Sequence, residues 1–278
     1  MSRLWHRFLG GLPRWGVIAV ARALGDCRWR PLAQALIRGF CRGFRVDLTE
    51  ARIPDPAGYT SFNDFFTRAL RDGARPIAPG TRLACPCDGR IAAQGRITEG
   101  ALLQAKGLDY RVQDLLGSSE LAQAFEGGQY LTVYLAPRDY HRVHVPGHGR
   151  LRHLRRIPGR LHAVNATSAA VIPRLYVENE RVVACFEGEG GTGTLALVLV
   201  AAIGVSGIRL TRPGFAPREV PAEGRHYPAD EGPSYALGEE FGCFEMGSTV
   251  ILLLGRDSPL ELPIPGPGMV VRMGMTLA

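Results

Sequence analysis

A serine, two histidines and an aspartate stand in settings where they could form one reaction centre. Ser248 follows Gly247 in Met246-Gly247-Ser248-Thr249, between Phe244 and the apolar run Val250 to Leu254. His141 and His144 lie in Pro137-Arg138-Asp139-Tyr140-His141-Arg142-Val143-His144, and Asp88 lies in Cys87-Asp88-Gly89. A serine nucleophile needs a base, and the base needs an orienting acid. The residue before Ser248 suggests the target. Glycine has no side chain to block the approach to its own carbonyl and tolerates strained dihedrals, so the hydroxyl could attack the preceding peptide bond. That is self-cleavage chemistry. Taken singly, each residue also has a plain structural reading: a serine bonding its own backbone, a satisfied core histidine, an aspartate in an Asp-Gly turn after Pro86. Their company is what raises the chemical reading.

The three segments resemble the phosphatidylserine decarboxylases, pyruvoyl enzymes whose signatures are a Gly-Ser-Thr cleavage site near the C-terminus, an Asp-Tyr-His-Arg-x-His segment and an upstream Asp-Gly. The family's cleavage pattern reads here as Gly238-Glu239-Glu240-Phe241-Gly242-Cys243-Phe244-Glu245-Met246-Gly247-Ser248-Thr249-Val250. The likeness also takes in Phe62-Asn63-Asp64-Phe65-Phe66-Thr67-Arg68 with Arg75-Pro76, Lys106-Gly107 with Tyr110, and Val164-Asn165. Met246 stands where the family commonly has leucine, and Glu245 where it often has a basic residue nearby.

The resemblance implies that Ser248 Oγ attacks the Gly247 carbonyl, that an N-to-O acyl shift gives an ester, and that elimination and hydrolysis leave a pyruvoyl group at 248 with loss of ammonia. Two chains result, 1–247 and 248–278. The covalent pyruvoyl group is then the cofactor, forming a Schiff base with phosphatidylserine and releasing CO2 to give phosphatidylethanolamine. No external cofactor and no metal are implied. On this reading Asp88, His144 and Ser248 are catalytic: His144 is base and proton donor, Asp88 holds and charge-stabilises it, and His141 is a neighbour or substrate contact.

The elements that must position these groups are legible as two regions. Residues 1–76 read as helices and 77–278 as a mainly β catalytic body, together an α+β fold with N-terminal helices packed beside a mainly antiparallel sheet. Leu4, Phe8 and Leu12 share a helix face, Val17, Ala21 and Leu24 another, and Pro31 starts a third helix with Leu32, Leu36 and Phe40. Ser61 is expected to cap a further helix that ends by Gly73 and Pro76. Strands are expected at 130–135, 182–186, 195–203, 249–254 and 269–273, with a helix at 115–124. Gly188-Glu189-Gly190-Gly191-Thr192-Gly193 fits a nucleotide-loop string, but a strand follows it, so it reads as a hairpin turn.

Of the net charge of +7, most sits in the first fifty residues, where nine arginines face three acids. A basic amphipathic segment on a nearly neutral body points to an anionic membrane surface. The body lacks the interleaved aromatic and basic stripe of a nucleic-acid binder, so no nucleic-acid partner is expected. Six scattered cysteines favour a reducing compartment, and no span is convincingly transmembrane. The expected place is the cytoplasmic face of a bacterial membrane, as a peripheral protein, with a homo-oligomer left open. From the residues alone the alternatives are a self-processing decarboxylase or serine hydrolase of another substrate, and a non-catalytic membrane-surface protein.

Overall fold

The computed structural model describes residues 20, 22–105, 108–202, 207–216, 219–221, 223–245, 248–262 and 266–278. The expected helix faces at Leu4 to Ala21, the Lys106-Gly107 pair and the Met246-Gly247 half of the cleavage site lie outside them.

Helix α1 (Arg30–Phe44) takes Pro31 in its first turn and ends where Arg45 turns left-handed at φ 53°. Helix α2 (Phe62–Phe66) is capped by Ser61, whose hydroxyl accepts from the Asp64 N–H, while Asp64 reaches back to the Thr60 N–H. It ends earlier than the sequence suggests. Thr67 turns its hydroxyl onto the Asn63 carbonyl, and the chain beyond pairs through Leu70 with Ala51. Phe62, Phe65 and Phe66 then pack with Ile37 and Phe40 of α1 into a small aromatic core.

Among the described residues fourteen strands follow: β1 (Gly89–Arg96), β2 (Ala101–Ala105), β3 (Leu108–Arg111), β4 (Gln129–Leu135), β5 (Arg142–His144), β6 (Gly149–Ile157), β7 (Arg181–Gly188), β8 (Gly193–Ala201), β9 (Ile208–Leu210), β10 (Arg225–His226), β11 (Ser234–Tyr235), β12 (Glu240–Phe244), β13 (Ser248–Leu254) and β14 (Val270–Val271). The main sheet runs β10-β6-β7-β8-β13-β4-β1-β14, with β11 also on β6, and every pairing in it is antiparallel. This is the expected α+β architecture. The 115–124 helix is in fact two, α3 (Val112–Leu116) and α4 (Ser119–Gln123). Gly117 at φ 67° closes the first, and Ser118 caps the second.

Both faces of the main sheet are covered. On one, Leu131, Val133, Leu197, Leu199, Val250 and Leu252 meet Val143, Phe241 and Phe244 from the small sheet β5-β12-β9. On the other, Val198, Val200, Ile251 and Leu253 meet Leu102 and Tyr110 of the β2-β3 hairpin, α3, and two short helices, α5 (Ala166–Val171) and α6 (Leu175–Glu178). Burial from two sides is why the central strands read as unbroken apolar runs instead of alternating ones. All seven residues of β13 are buried, between β8 and β4. The β7-β8 connection is the expected glycine turn, with Gly190 at φ 64° and Gly191 at φ 73°.

Candidate active site

Ser248 opens β13, opposite Leu135 of β4 and Ala201 of β8. Side chains alternate along a strand, so Ser248 shares a face with Val250 and Leu252 and looks into the layer that carries β5. His141 meets it there. The imidazole Nδ1 lies 3.2 Å from Ser248 Oγ, and both side chains are wholly buried. The other ring nitrogen, Nε2, lies 3.1 Å from the Ala136 carbonyl. A carbonyl can only accept, so Nε2 carries the proton and Nδ1 presents its lone pair to the hydroxyl.

The loop holding His141 is closed by its own residues. Asp139 accepts from the Ala136 N–H at 2.7 Å, and its N–H returns to the Ala136 carbonyl at 2.9 Å. Phe66 stacks on the imidazole at 4.1 Å between centroids and 23° between planes. Burial, and then the Arg68 guanidinium, push the His141 pKa down to about 3, so the ring is neutral.

His144, the base expected from the sequence, is held elsewhere. Its Nδ1 gives its proton to the Gly238 carbonyl at 2.8 Å, and its Nε2 lies 3.0 Å from the Tyr140 hydroxyl. Its pKa is also lowered, chiefly by burial, but Glu240 and Asp88 both favour its charged form. Asp88 makes no hydrogen bond to His144 in this state. Its two oxygens take Arg75 Nε at 3.0 Å and Nη2 at 2.5 Å, and Oδ1 also accepts from the Met273 N–H at 2.8 Å. Asp88 closes the bend Pro86-Cys87-Asp88, as the Asp-Gly turn reading expects, and Gly89 opens β1. Glycine is required because a Cβ at 89 would stand 2.4 Å from the Tyr134 carbonyl oxygen. The structure therefore brings Ser248 to His141, and sets His144 and Asp88 in a second group alongside.

Arg75, Tyr140 and Phe66 were not assigned roles from the sequence. The signal for Arg75 was present, since it recurs as Arg75-Pro76 in the resemblance. Nothing in local pattern shows that Phe66 would leave its aromatic cluster on one side to cover an imidazole.

The buried, neutral histidines imply a pH dependence. A base whose folded pKa lies below its unfolded value costs nothing above the unfolded pKa and destabilises as pH falls beneath it. For His141 the window runs from the ordinary 6.5 down to about 3. It should remove about 2 kcal/mol between pH 6.5 and 5, and His144 acts in the same direction. Urea unfolding at the two pH values, compared with His141→Gln, tests this. A variant that loses as much stability as the parent would refute it.

A buried serine whose oxygen faces an imidazole lone pair, at the mouth of a strand and just after a glycine in the sequence, is the arrangement a hydroxyl nucleophile requires. Comparison with known proteins gives the particular family. Residues 62–278 match the family described as phosphatidylserine decarboxylase. The chain is similar to the phosphatidylserine decarboxylase proenzyme of Bordetella pertussis, 44% identical over 268 residues, covering 93% of this chain and 89% of the relative. The proenzymes of Stutzerimonas stutzeri (42% identical, 96% and 91% covered) and Pseudomonas aeruginosa (44%, 91% and 89%) are similar to it over comparable lengths. This chain belongs to the phosphatidylserine decarboxylase family, whose members are carboxy-lyases.

Proposed function

We propose that this chain severs itself between Gly247 and Ser248, carries the resulting pyruvoyl group at the head of residues 248–278, and uses it to convert phosphatidylserine to phosphatidylethanolamine. The observation that supports this most directly is the 3.2 Å approach of His141 Nδ1 to the Ser248 hydroxyl, both side chains being wholly buried. The residues present fit such a group. Ser248 is fixed by strands on both sides, so its position survives loss of the bond to residue 247. When formed, the pyruvoyl group supplies an electrophilic carbonyl for an amine and a sink for the electron pair left by departing CO2.

The chain's own groups divide the proton work. His141 orients the Ser248 oxygen through its lone pair, but a conjugate acid near pH 3 makes it a poor proton acceptor. His144 is the better candidate base: burial lowers its pKa and Arg142 opposes its cation, but the Gly238 carbonyl, Glu240 and Asp88 favour that cation, where Arg68 adds to burial in opposing that of His141. It takes the Ser248 proton once Tyr140 swings off its Nε2, and returns one to the carbon vacated by CO2. Asp88, clamped by Arg75, supplies a fixed negative charge beside it. Both imidazoles are buried, which strengthens each of these effects.

Residues 1–76 are proposed to hold the enzyme on the anionic cytoplasmic face of the membrane. Trp29 and Phe44 stand 66% and 45% exposed at the two ends of α1, among Arg28, Arg30, Arg38 and Arg42. No described helix is long and apolar enough to cross a bilayer.

The test is intact mass and CO2 release from phosphatidylserine vesicles, for the parent and for three variants. The parent should give two chains with a blocked new terminus. His144→Ala and Asp88→Ala should remain mostly uncut, whereas His141→Ala should cut slowly and lose most turnover. Normal processing by His144→Ala would remove that residue from the first step.

A further inference from the structure

A cleft of about 310 Å³ lies where the segment carrying Arg45, Arg68 and Arg75 meets the body at Asp88, Tyr140 and Arg272. It is lined by five arginines and four carboxylates. Much of this charge is already spent. Glu50 takes both Arg75 and Arg272, at 2.9 and 3.0 Å, and Asp88 takes Arg75.

Arg68 is different. Its side chain is buried, the residue being 4% exposed, and its Nη2 donates only to the Arg138 and Asp139 carbonyls. Among the described residues it has no ion pair, and its Nη1 has no hydrogen-bond partner. A guanidinium out of water with neither counter-ion nor a full set of acceptors is costly, and the cost is relieved when an anion arrives. Burial pushes its pKa down, in keeping with that deficit. Arg45, exposed at the mouth, likewise has no ion pair among the described residues, and Arg138 reaches Asp139 only at 3.9 Å. Val270, 53% exposed, adds an apolar edge to the same wall.

We propose that this cleft seats the phosphodiester of a glycerophospholipid headgroup, with Arg68 as the inner cation and Arg45 at the entrance. The proposal rests on the reading that the substrate is phosphatidylserine, and it adds where the headgroup phosphate sits. A guanidinium fork suits a phosphodiester's two free oxygens. The cleft volume suits a headgroup without its acyl chains, which would leave past Val270. Asp139 and Tyr140 of its wall immediately precede His141, whose ring faces Ser248, so the cleft adjoins the loop that carries the site.

The experiment uses full-length Ser248→Ala protein, which makes no pyruvoyl group, so binding is read apart from turnover. Glycerophosphoserine, glycerophosphoethanolamine and inorganic phosphate are titrated by calorimetry. Both phosphodiesters should bind, inorganic phosphate should not displace them, and Arg68→Gln should weaken both by about ten- to a hundredfold. Arg45→Gln should weaken them by about threefold. Absent binding of the phosphodiesters, equal competition by inorganic phosphate, or unchanged affinity in a folded Arg68→Gln would overturn the assignment. Should Arg68→Gln fail to fold, Arg45→Gln and Arg138→Gln carry the test, and unchanged affinity in both overturns it. In self-processed enzyme, Arg45→Gln should raise KM for phosphatidylserine while kcat stays within about twofold. If the protein binds glycerophosphoserine through Arg68 yet releases no CO2, the catalytic reading fails and this one stands. If it releases CO2 with phosphodiester affinity indifferent to Arg68, only this one fails.

Discussion

Ser248→Ala is expected to yield one uncut chain of 30.2 kDa and to lower CO2 release from phosphatidylserine by at least about three orders of magnitude. Both effects follow from one oxygen. Without it the Gly247 carbonyl has no nucleophile, and without the cut no side chain of the protein offers a ketone to the substrate amine. The fold should survive, because an alanine methyl fills most of the space of a hydroxymethyl group in a strand already paired on both sides. Intact mass, thermal melting and CO2 release give the three readouts. A cut chain, or an uncut chain with normal turnover, would sink the proposed chemistry.

Arg75→Met should have the largest effect on stability. The Arg75 and Asp88 side chains are 7% and 12% exposed and meet through two hydrogen bonds, so removing the guanidinium strands a carboxylate. Breaking such a pair from one side costs about 3–5 kcal/mol, whereas replacing both partners with apolar groups of similar volume is often close to neutral. The double variant Arg75→Met, Asp88→Leu should therefore be more stable than Arg75→Met alone. Glu50 tempers the comparison because it shares Arg75 with Asp88, and it is left with Arg272 in either variant. Urea midpoints measured on the uncut Ser248→Ala background decide the matter. Equal stability of the single variant and its parent would mean that the pair contributes little. Self-cleavage is expected to suffer with Arg75→Met as well, since the fixed charge beside His144 is no longer held.

The sequence revealed the parts of this molecule whose physics is local. Ser61 announced its cap, Pro31 its helix start, Gly190 and Gly191 their turn, and the run Val250 to Leu254 its strand. The short helix at Gly117 broke because one residue adopts a left-handed conformation that a periodicity reading passes over. Strand β6, Gly-Arg-Leu-Arg-His-Leu-Arg-Arg-Ile, was missed because its basic residues look like surface coil. Its neighbours β7, β10 and β11 supply the pairing that makes it a strand.

The site shows the same division. Ser248, His141, His144 and Asp88 were all visible as residues that could do chemistry. Which imidazole faces the hydroxyl was not, because it depends on the alternation of β13 against the loop before β5, more than a hundred residues away. The engagement of Asp88 likewise joins Arg75, 13 residues upstream, to the Met273 N–H, 185 residues downstream. No spacing rule could reach it.

The place of β13 has a consequence for the life of the molecule. Residues 248–278 begin as the tail of one polypeptide and thread their first strand between two others before any bond is cut. If the proposed cut leaves the fold in place, Asp88 and Glu50 of the larger piece keep their bonds to Met273 and Arg272 of the smaller. Assembly is thus a first-order process that happens once. An unfolded mature enzyme would have to recover its central strand from dilute solution, at a rate set by concentration instead of by chain connectivity. On the proposed cleavage, maturation works as a ratchet: the activated molecule inherits a shape that its separated pieces have no efficient route to rebuild.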